Sequence, residues 1–238
     1  MTPRGSGDAH VADLRSRFEV ASAEVPLDEH VLQVLHPRSA EELIDEAAFE
    51  RDERLPYWAD IWPSSLVLAS RLVAMDGRGR ALLELGCGVG LVTIAASLAG
   101  FAVVATDYYA DALAFTLANA RLNGVAEPRT RLVDWRALPS DLGRFDVVVA
   151  SDVLYERPYA SLVAGAFAAT LDVDGVGILA DPGRVAAPSF LAEGARQRLT
   201  IRSADRVPYV AGNIRQTIDI YEITAGSSAG AERARSSP

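Results

Sequence analysis

The sequence predicts an α/β fold, a parallel sheet covered by helices on both faces, behind a small N-terminal extension of strands and a helix. Three features point there. Short apolar runs, "ALLELG", "AVVATD", "RTRLVD", "FDVVVASD" and "VGILAD", alternate with helix-like runs, the pattern of buried parallel strands joined by crossover helices. Half of the 238 residues are hydrophobic, enough for a substantial core. Glycine occupies alternate positions, Gly86, Gly88 and Gly90, where the first of these strands gives way to a helix-like run.

Taken in order, residues 1–13 and 225–238 hold almost nothing large to bury and are expected to be disordered. Residues 14–56 form the extension. "RFEVASAEVPL" and "HVLQVLHP" read as two strands. "SAEELIDEAAFERDE" reads as a helix, with Ser39 as N-cap and Glu42 completing a capping box. The main domain, 57–224, begins with a helix starting near Pro63 in "WPSSLVLASRLVAM". Ala81–Leu85, Ala102–Thr106 and Val147–Ala150 are the expected central strands. The expected helices are "LVTIAASLAG", "YADALAFTLANARLNG", a short stretch after Trp135 and "RPYASLVAGAFAATL". The last pair, "QRLTIRSAD" and "IRQTIDIYEIT", has no clear helix between and reads as strands joined by a hairpin-like connection at the sheet edge.

Bulk properties exclude several functions. A net charge of −9 and a pI near 4.9 oppose a nucleic-acid partner, which needs a basic surface. The single cysteine, Cys87, permits no internal disulfide and fits a reducing compartment. His10, His30 and His36 make no metal-ligand spacing with it, so no metal is expected. The N-terminus lacks a signal-peptide pattern, and every apolar run falls short of the ~18 residues of a membrane span. The expectation is a soluble cytoplasmic protein with no membrane partner, monomeric by default.

In an open parallel sheet, ligands bind beyond the carboxyl ends of the strands. Glycines at that edge let backbone amides approach a ligand closely and let the turn take positive φ. Asp107 ends the next strand, where a carboxylate can accept from both hydroxyls of a ribose. The ligand is therefore nucleoside-like. The order here is G-x-G-x-G, not the dinucleotide G-x-G-x-x-G. Glu84, two residues before the first glycine, is poorly placed for a pyrophosphate. An anionic Glu84 can instead meet a cationic amino group, directly or through water. The cofactor with a ribose and a cationic methionine end is S-adenosylmethionine, which leaves as S-adenosylhomocysteine. In "LVDW", Asp134 can accept from the adenine amino group and Trp135 can stack on or wall the base, the alternative for Trp135 being a core or rim aromatic. Cys87 and Tyr108 fall inside the same motifs and are assigned to the cofactor site with Gly90. Cys87 needs no catalytic role.

"ELGCGVG", Asp107 and "VDW" resemble the class I, seven-strand S-adenosylmethionine methyltransferases. "LPYWADIWPSSLVLASRL" and "ASDVLYE" resemble the branch with the protein-lysine methyltransferases. Within it, "YWADIWP" together with "ADPGR" is similar to the electron-transfer-flavoprotein β-subunit lysine methyltransferases and their bacterial relatives, some labelled nicotinamide N-methyltransferase-like. The resemblance spans about residues 17–224. It implies a Rossmann-like, seven-stranded, mostly parallel sheet of order 3-2-1-4-5-7-6 with the last strand antiparallel. It also implies a cofactor site using Trp62, Gly86, Gly88, Asp107, Trp135 and Ala150. "YWADIWP" can alternatively pack the extension on the sheet. Trp62 is read as a cofactor contact, and Tyr57 and Trp58 as packing.

Asp152 and Tyr155, in "SDVLYE", are the catalytic candidates. Methyl transfer from a sulfonium is mainly a matter of positioning, and the acceptor needs a lone pair. Deprotonating a free lysine at pH 7 costs roughly 4.6 kcal/mol, and a nearby carboxylate favours the ammonium form. Asp152 is therefore expected to bind and aim the amine and to stabilise charge arriving on nitrogen. Tyr155 would hydrogen-bond the amine or wall the pocket. The alternative is that Asp152 caps the following helix and Tyr155 packs. Arg184, in the loop Asp181–Arg184, either meets an acidic substrate surface or is a solvated turn residue. The expected activity is N-methylation of lysine on a protein such as an electron-transfer flavoprotein β subunit. The alternatives are a small-molecule amine or N-heterocycle as acceptor, or a non-catalytic S-adenosylmethionine-binding module.

Overall fold

The computed structural model describes residues 5–43 and 55–226. A seven-stranded sheet runs β5-β4-β3-β6-β7-β9-β8, formed by β3 (Ala81–Leu85), β4 (Ala102–Asp107), β5 (Arg129–Leu132), β6 (Phe145–Ser151), β7 (Leu171–Asp181), β8 (Leu199–Ala211) and β9 (Ile214–Ala225). Numbered from β3, this is the expected order 3-2-1-4-5-7-6. The inner pairings are parallel, and β9 runs antiparallel to both β7 and β8.

Strand residues point alternately to the two faces, and both faces are covered. Val147 and Val149 of β6 pack with Leu82 against α2 (Pro63–Val73) and α3 (Leu91–Leu98). Val148 and Ala150 pack with Leu83 and Leu85 against α5 (Tyr159–Thr170) and α6 (Ala187–Arg196). Two-sided burial explains the unbroken apolar run "VVVA". α2 begins at Pro63, whose ring suits the first helical position.

The extension is a hairpin of β1 (Val20–Leu27) and β2 (His30–Pro37). Its turn residue Asp28 sits at φ 51, a conformation tolerated by Asp. Its residues Val25, Leu27, Leu32 and Val34 on one face, and Leu35 on the other, are buried in one cluster with Phe115 and Ala118 of α4 (Ala110–Leu122). α4 also serves the edge of β2. The buried Asn119 side chain accepts from the Leu35 amide at 2.8 Å and donates to the Leu35 and Val89 carbonyls, each at 2.8 Å. One turn on, Asn123 does the same for Gln33, at 2.9 and 2.8 Å. Two asparagines at helical spacing thus give β2 what a third strand would give, and tie it to the glycine loop.

Three expectations change. Residues 1–13 are not wholly without structure: α1 spans Gly5–Arg17 and buries Leu14 beside the hairpin. Leu14 lies just beyond those residues, and Val11 within them is partly buried against the same cluster. The helix expected from Ser39 shows only a 3-10 turn at Glu41–Leu43, and its remainder lies outside the described residues. β7 starts at Leu171, five residues before the apolar run that marked it. Of the tail, Ala225 ends β9, and residues from 227 onward lie outside the described residues.

Asn119→Ala leaves buried backbone groups of β2 and of the glycine loop without partners. It is expected to lower unfolding stability by about 2–4 kcal/mol, read from urea denaturation. A loss under about 1 kcal/mol would mean that those groups find partners elsewhere.

Candidate functional site

A pocket opens at the carboxyl ends of β3, β4 and β6. Its floor is the turn after β3. The Gly86 and Cys87 amides both donate to the Thr106 carbonyl at 2.9 Å, and the Gly90 amide returns to the Cys87 carbonyl at 2.8 Å. The Gly88 amide donates to Asp107 Oδ2 at 2.9 Å, and the Tyr109 amide donates to Asp107 Oδ1 at 3.0 Å. α4 pins the turn from outside, with Thr116 Oγ1 donating to the Gly88 carbonyl at 3.0 Å. Gly90 has φ 89, and a Cβ there would lie 2.8 Å from the Thr116 Cα. That position is closed to any other residue, both by conformation and by the neighbouring backbone.

Burial governs the charges. Glu84, 1% exposed, accepts from the Thr93 hydroxyl of α3. Burial drives its pKa up to about 8 against that hydrogen bond, and Asp107 adds to the rise. Asp107 is driven up to about 6 by burial, opposed by the Tyr109 and Gly88 amides. Glu84 was expected to be anionic. In the free protein at neutral pH it is mostly protonated, and a cationic group brought beside it would draw the proton off. Burial also raises the Cys87 thiol, so it is not a nucleophile at neutral pH.

The part of the pocket after β6 holds the acceptor candidates. Asp152 follows β6 at φ 57, and its carboxylate is occupied on both oxygens. Ser64 Oγ donates to Oδ2 at 3.1 Å, and Arg184 Nε donates to Oδ1 at 2.5 Å. Asp152 is therefore not the cap of α5, which starts at Tyr159. Tyr155 stacks at 4.6 Å on Tyr57 and 4.8 Å on Tyr159. Its burial pushes the phenol above the ordinary value, so the hydroxyl is neutral at neutral pH. Trp62, the N-cap residue of α2, donates its ring N–H to the Tyr57 carbonyl at 2.8 Å. Trp135 meets Tyr159 edge-on at 5.7 Å. Asp134 caps the 3-10 turn Trp135–Ala137 through the Arg136 amide and pairs with the Arg136 guanidinium at 2.8 Å.

The pocket brings together Trp62, Glu84, Gly86, Cys87, Gly88, Asp107, Tyr108, Asp134, Trp135, Asp152 and Tyr155. Two expected cofactor contacts stand elsewhere. Gly90 caps α3 behind the turn. Ala150 points into the core against α5, and Ser151, Asp152 and Val153 form that wall. Tyr57, read as packing, lines the pocket, whereas Trp58 does pack the extension, 5.6 Å from Phe115 and 6.4 Å from Phe18. Trp58 also borders the pocket. Ser64 was missed. A serine in the first turn of a helix carries no signal until β6 is placed beside it. Arg184, read as substrate-facing or solvated, is paired to Asp152.

A sheet in this order, with a glycine turn between a buried Glu84 and a strand-ending Asp107, defines the nucleoside-cofactor fold of the class I methyltransferases. The profile described as "Methyltransferase domain" matches residues 83–176. The chain is 34% identical over 157 residues to "Protein N-lysine methyltransferase METTL21A" of Danio rerio, covering 59% of this chain and 71% of that protein. It is 33% identical over 149 residues to "Electron transfer flavoprotein beta subunit lysine methyltransferase" of Mus musculus, covering 60% of this chain and 56% of that one. The Danio rerio protein of the same name is 34% identical over 133 residues, covering 54% of this chain. The chain spans about half the length of these flavoprotein-modifying relatives, 51% and 56%. Among solved structures, the T. thermophilus 16S rRNA methyltransferase RsmC aligns with TM-score 0.61 at 19% identity, over 87% of this chain and 50% of that one. Magnesium protoporphyrin IX methyltransferase from Synechocystis aligns with TM-score 0.55 at 20% identity, over 77% and 94%. At these identities the structures speak for the fold alone. The chain belongs to the class I S-adenosylmethionine-dependent methyltransferases, and its sequence relatives are named as protein-lysine methyltransferases.

Glu84 and Asp107 have folded pKa values above their unfolded ones, so folding takes up protons between about pH 4 and 8 and stability falls as pH rises through that window. Glu84→Gln is expected to flatten the fall between about pH 6 and 8, raising the melting temperature at pH 8 by about 5 °C relative to wild type. Parallel pH profiles for the two proteins would show that Glu84 is ionised throughout. Gly90→Ala is expected to cost about 2 kcal/mol or more in urea denaturation, through strain at positive φ and contact with Thr116.

Proposed function

We propose that this chain is an S-adenosylmethionine-dependent N-methyltransferase whose acceptor is a lysine side chain on a protein. The observation that carries the reading is that two sets of groups line one pocket: the glycine turn with Glu84, Asp107, Asp134 and Trp135, suited to the cofactor, and Asp152 with Tyr57, Trp62 and Tyr155, suited to the acceptor. Among the described residues no Lys, Arg or His lines it, and the nearby Arg184 guanidinium is paired to Asp152.

The residues present fit the cofactor. Asp107 keeps lone pairs beyond those taken by the Gly88 and Tyr109 amides, enough to accept from ribose hydroxyls. A Cβ on Gly86 would sit 3.3 Å from Val153 and 3.5 Å from Trp135, crowding the floor that the ligand needs. Glu84 would hold the amino group. When bound, S-adenosylmethionine supplies an electrophilic methyl whose transfer to an amine lone pair releases S-adenosylhomocysteine and leaves a proton to be lost from nitrogen. Asp152 accepts from the acceptor's N–H groups and aims its lone pair. The aromatic wall excludes water, which strips the hydration that holds an amine protonated. Tyr155 stays neutral and donates or walls.

The relatives' names favour a protein acceptor, and an electron transfer flavoprotein β subunit is the first candidate. The reading includes a single chain acting in the cytoplasm and not on nucleic acid, in keeping with its net charge of −9. All 23 residues counted as lysine or arginine are arginine, so the chain cannot methylate a lysine of its own, and a labelled band is another protein's lysine or not lysine at all.

The test is tritiated S-adenosylmethionine with purified protein and extract of the source organism, separated into a protein gel and a small-molecule fraction. A labelled protein band carrying methyl-lysine by mass spectrometry is the expected result. Label confined to small molecules would move the acceptor to a free amine or N-heterocycle. Asp152→Asn keeps the backbone conformation, since Asn tolerates positive φ. It is expected to leave S-adenosylhomocysteine affinity within about 3-fold and to lower turnover about 100-fold or more. Near-normal turnover would remove Asp152 from the acceptor site.

A further inference from the structure

Arg184 is held from several sides. Asp181, fully buried at the end of β7, accepts on Oδ1 from the Gly183 amide at 2.8 Å and from the Arg184 amide at 2.7 Å. Gly183 takes φ 86 to make that turn. The guanidinium lies 5.0 Å over the Trp62 ring, and its Nε reaches Asp152 Oδ1 at 2.5 Å. The Asp152 side chain is 2% exposed and that of Arg184 34%. This is an arginine fixed on a carboxylate at the pocket wall, not a solvated turn residue.

A bare carboxylate at that wall would hold the acceptor as ammonium, which has no lone pair. The same carboxylate, neutralised by a fixed cation, still accepts a hydrogen bond but no longer favours the charged amine. We propose that Arg184 sets the charge of the acceptor subsite: by neutralising Asp152 it makes that subsite take an uncharged amine in preference to an ammonium. Arg184 is then a positioning residue acting through Asp152. The proposal rests on the methyltransferase reading.

The other groups facing Asp152 leave the pair in control. From α2 come Ser64 and Trp62, neither charged. From β7 comes Asp181, whose Oδ1 is taken by backbone amides and whose carboxyl burial pushes toward protonation. Tyr155 and Tyr57 present phenols. Glu84 and Asp107 line the same pocket, with Asp60 also among the lining residues. Among the described residues Arg184 is therefore the cation that answers Asp152.

A pair of ligands tests this without the acceptor. Sinefungin carries an amine where S-adenosylmethionine carries its methylsulfonium, and S-adenosylhomocysteine carries a neutral thioether there. The ratio of their dissociation constants by calorimetry reports on that position alone, since all other contacts are shared. In the wild type the ratio is expected to shift toward sinefungin as pH rises from about 7 to 9 and its amine loses charge. In Arg184→Gln sinefungin is expected to gain about tenfold on S-adenosylhomocysteine near pH 7, equivalent to one unit of differential protonation, and the pH trend is expected to reverse. Arg184→Lys should keep the wild-type ratio, and Arg184→Gln with Asp152→Asn should lose the gain. A ratio in Arg184→Gln within about twofold of wild type overturns the proposal. So does a wild-type ratio that falls with pH, which decides the matter even if the variant fails to fold. Absence of binding by both ligands to the wild type would instead sink the methyltransferase reading, and this inference with it.

Discussion

The hydrogen bond from the Gly88 amide to the Asp107 carboxylate sets the geometry on which the rest of the site depends. It joins the end of β4 to the turn after β3 and fixes the pocket floor. The turn can pass there only because position 88 has no side chain: a Cβ would meet the Trp58 carbonyl at 3.0 Å. The same bond requires a carboxylate at the base of a buried pocket, close to Glu84. Two acids in such surroundings favour protonation, a strain that a ribose and an ammonium would relieve. The free protein thus carries in its floor a charge pattern completed by a ligand, as expected where binding is favoured at the expense of free-state stability.

α4 is the scaffold for that floor. Phe115 packs the extension, Thr116 holds the Gly88 carbonyl, and Asn119 bridges the Val89 carbonyl and β2. Successive residues of one helix therefore connect the hairpin to the cofactor turn. The extension is then part of the site's framework, and the Tyr57–Trp58 segment that follows it closes the pocket against Tyr155 and Trp62.

The acceptor end answers a different demand. Transfer to nitrogen needs a lone pair, and a carboxylate alone would remove it by stabilising the ammonium. In the proposed reading the Asp152–Arg184 pair presents a hydrogen-bond acceptor without a net charge. Its construction draws on three remote segments: the left-handed residue after β6, Ser64 of α2, and the Asp181 turn after β7. Removing either partner would leave the other charge beside a largely dry wall.

The inner strands, most helices of the sheet domain and most pocket residues were legible in the sequence, because two-sided burial writes unbroken apolar runs and a close-approach turn admits only glycine at set spacings, whereas the strand order was implied by the family resemblance and the helix Ala187–Arg196 was not expected. Gly86, Gly88, Glu84 and Asp107 could be named from spacing, and Asp152 from its place after the β6 run together with the resemblance that "SDVLYE" carries. What spacing could not separate was the role of neighbours within one motif. Gly90 packs on Thr116, and Ala150 faces the core; both depend on which way a turn or strand is rotated against α4 and α5. The N-terminal helix depended on Val11 and Leu14 finding the cluster beneath the hairpin and on Arg17 meeting Asp111. Glu84's proton and the partner of Arg184 are collective properties. A carboxylate's charge follows from everything that shuts out water around it, and residues 152 and 184 meet only when β6 and β7 lie side by side. The sequence by itself determined where the chain turns and which edge binds. The tertiary structure alone decided which charges survive there, because burial and long-range pairing, not local pattern, set the energy of an ion.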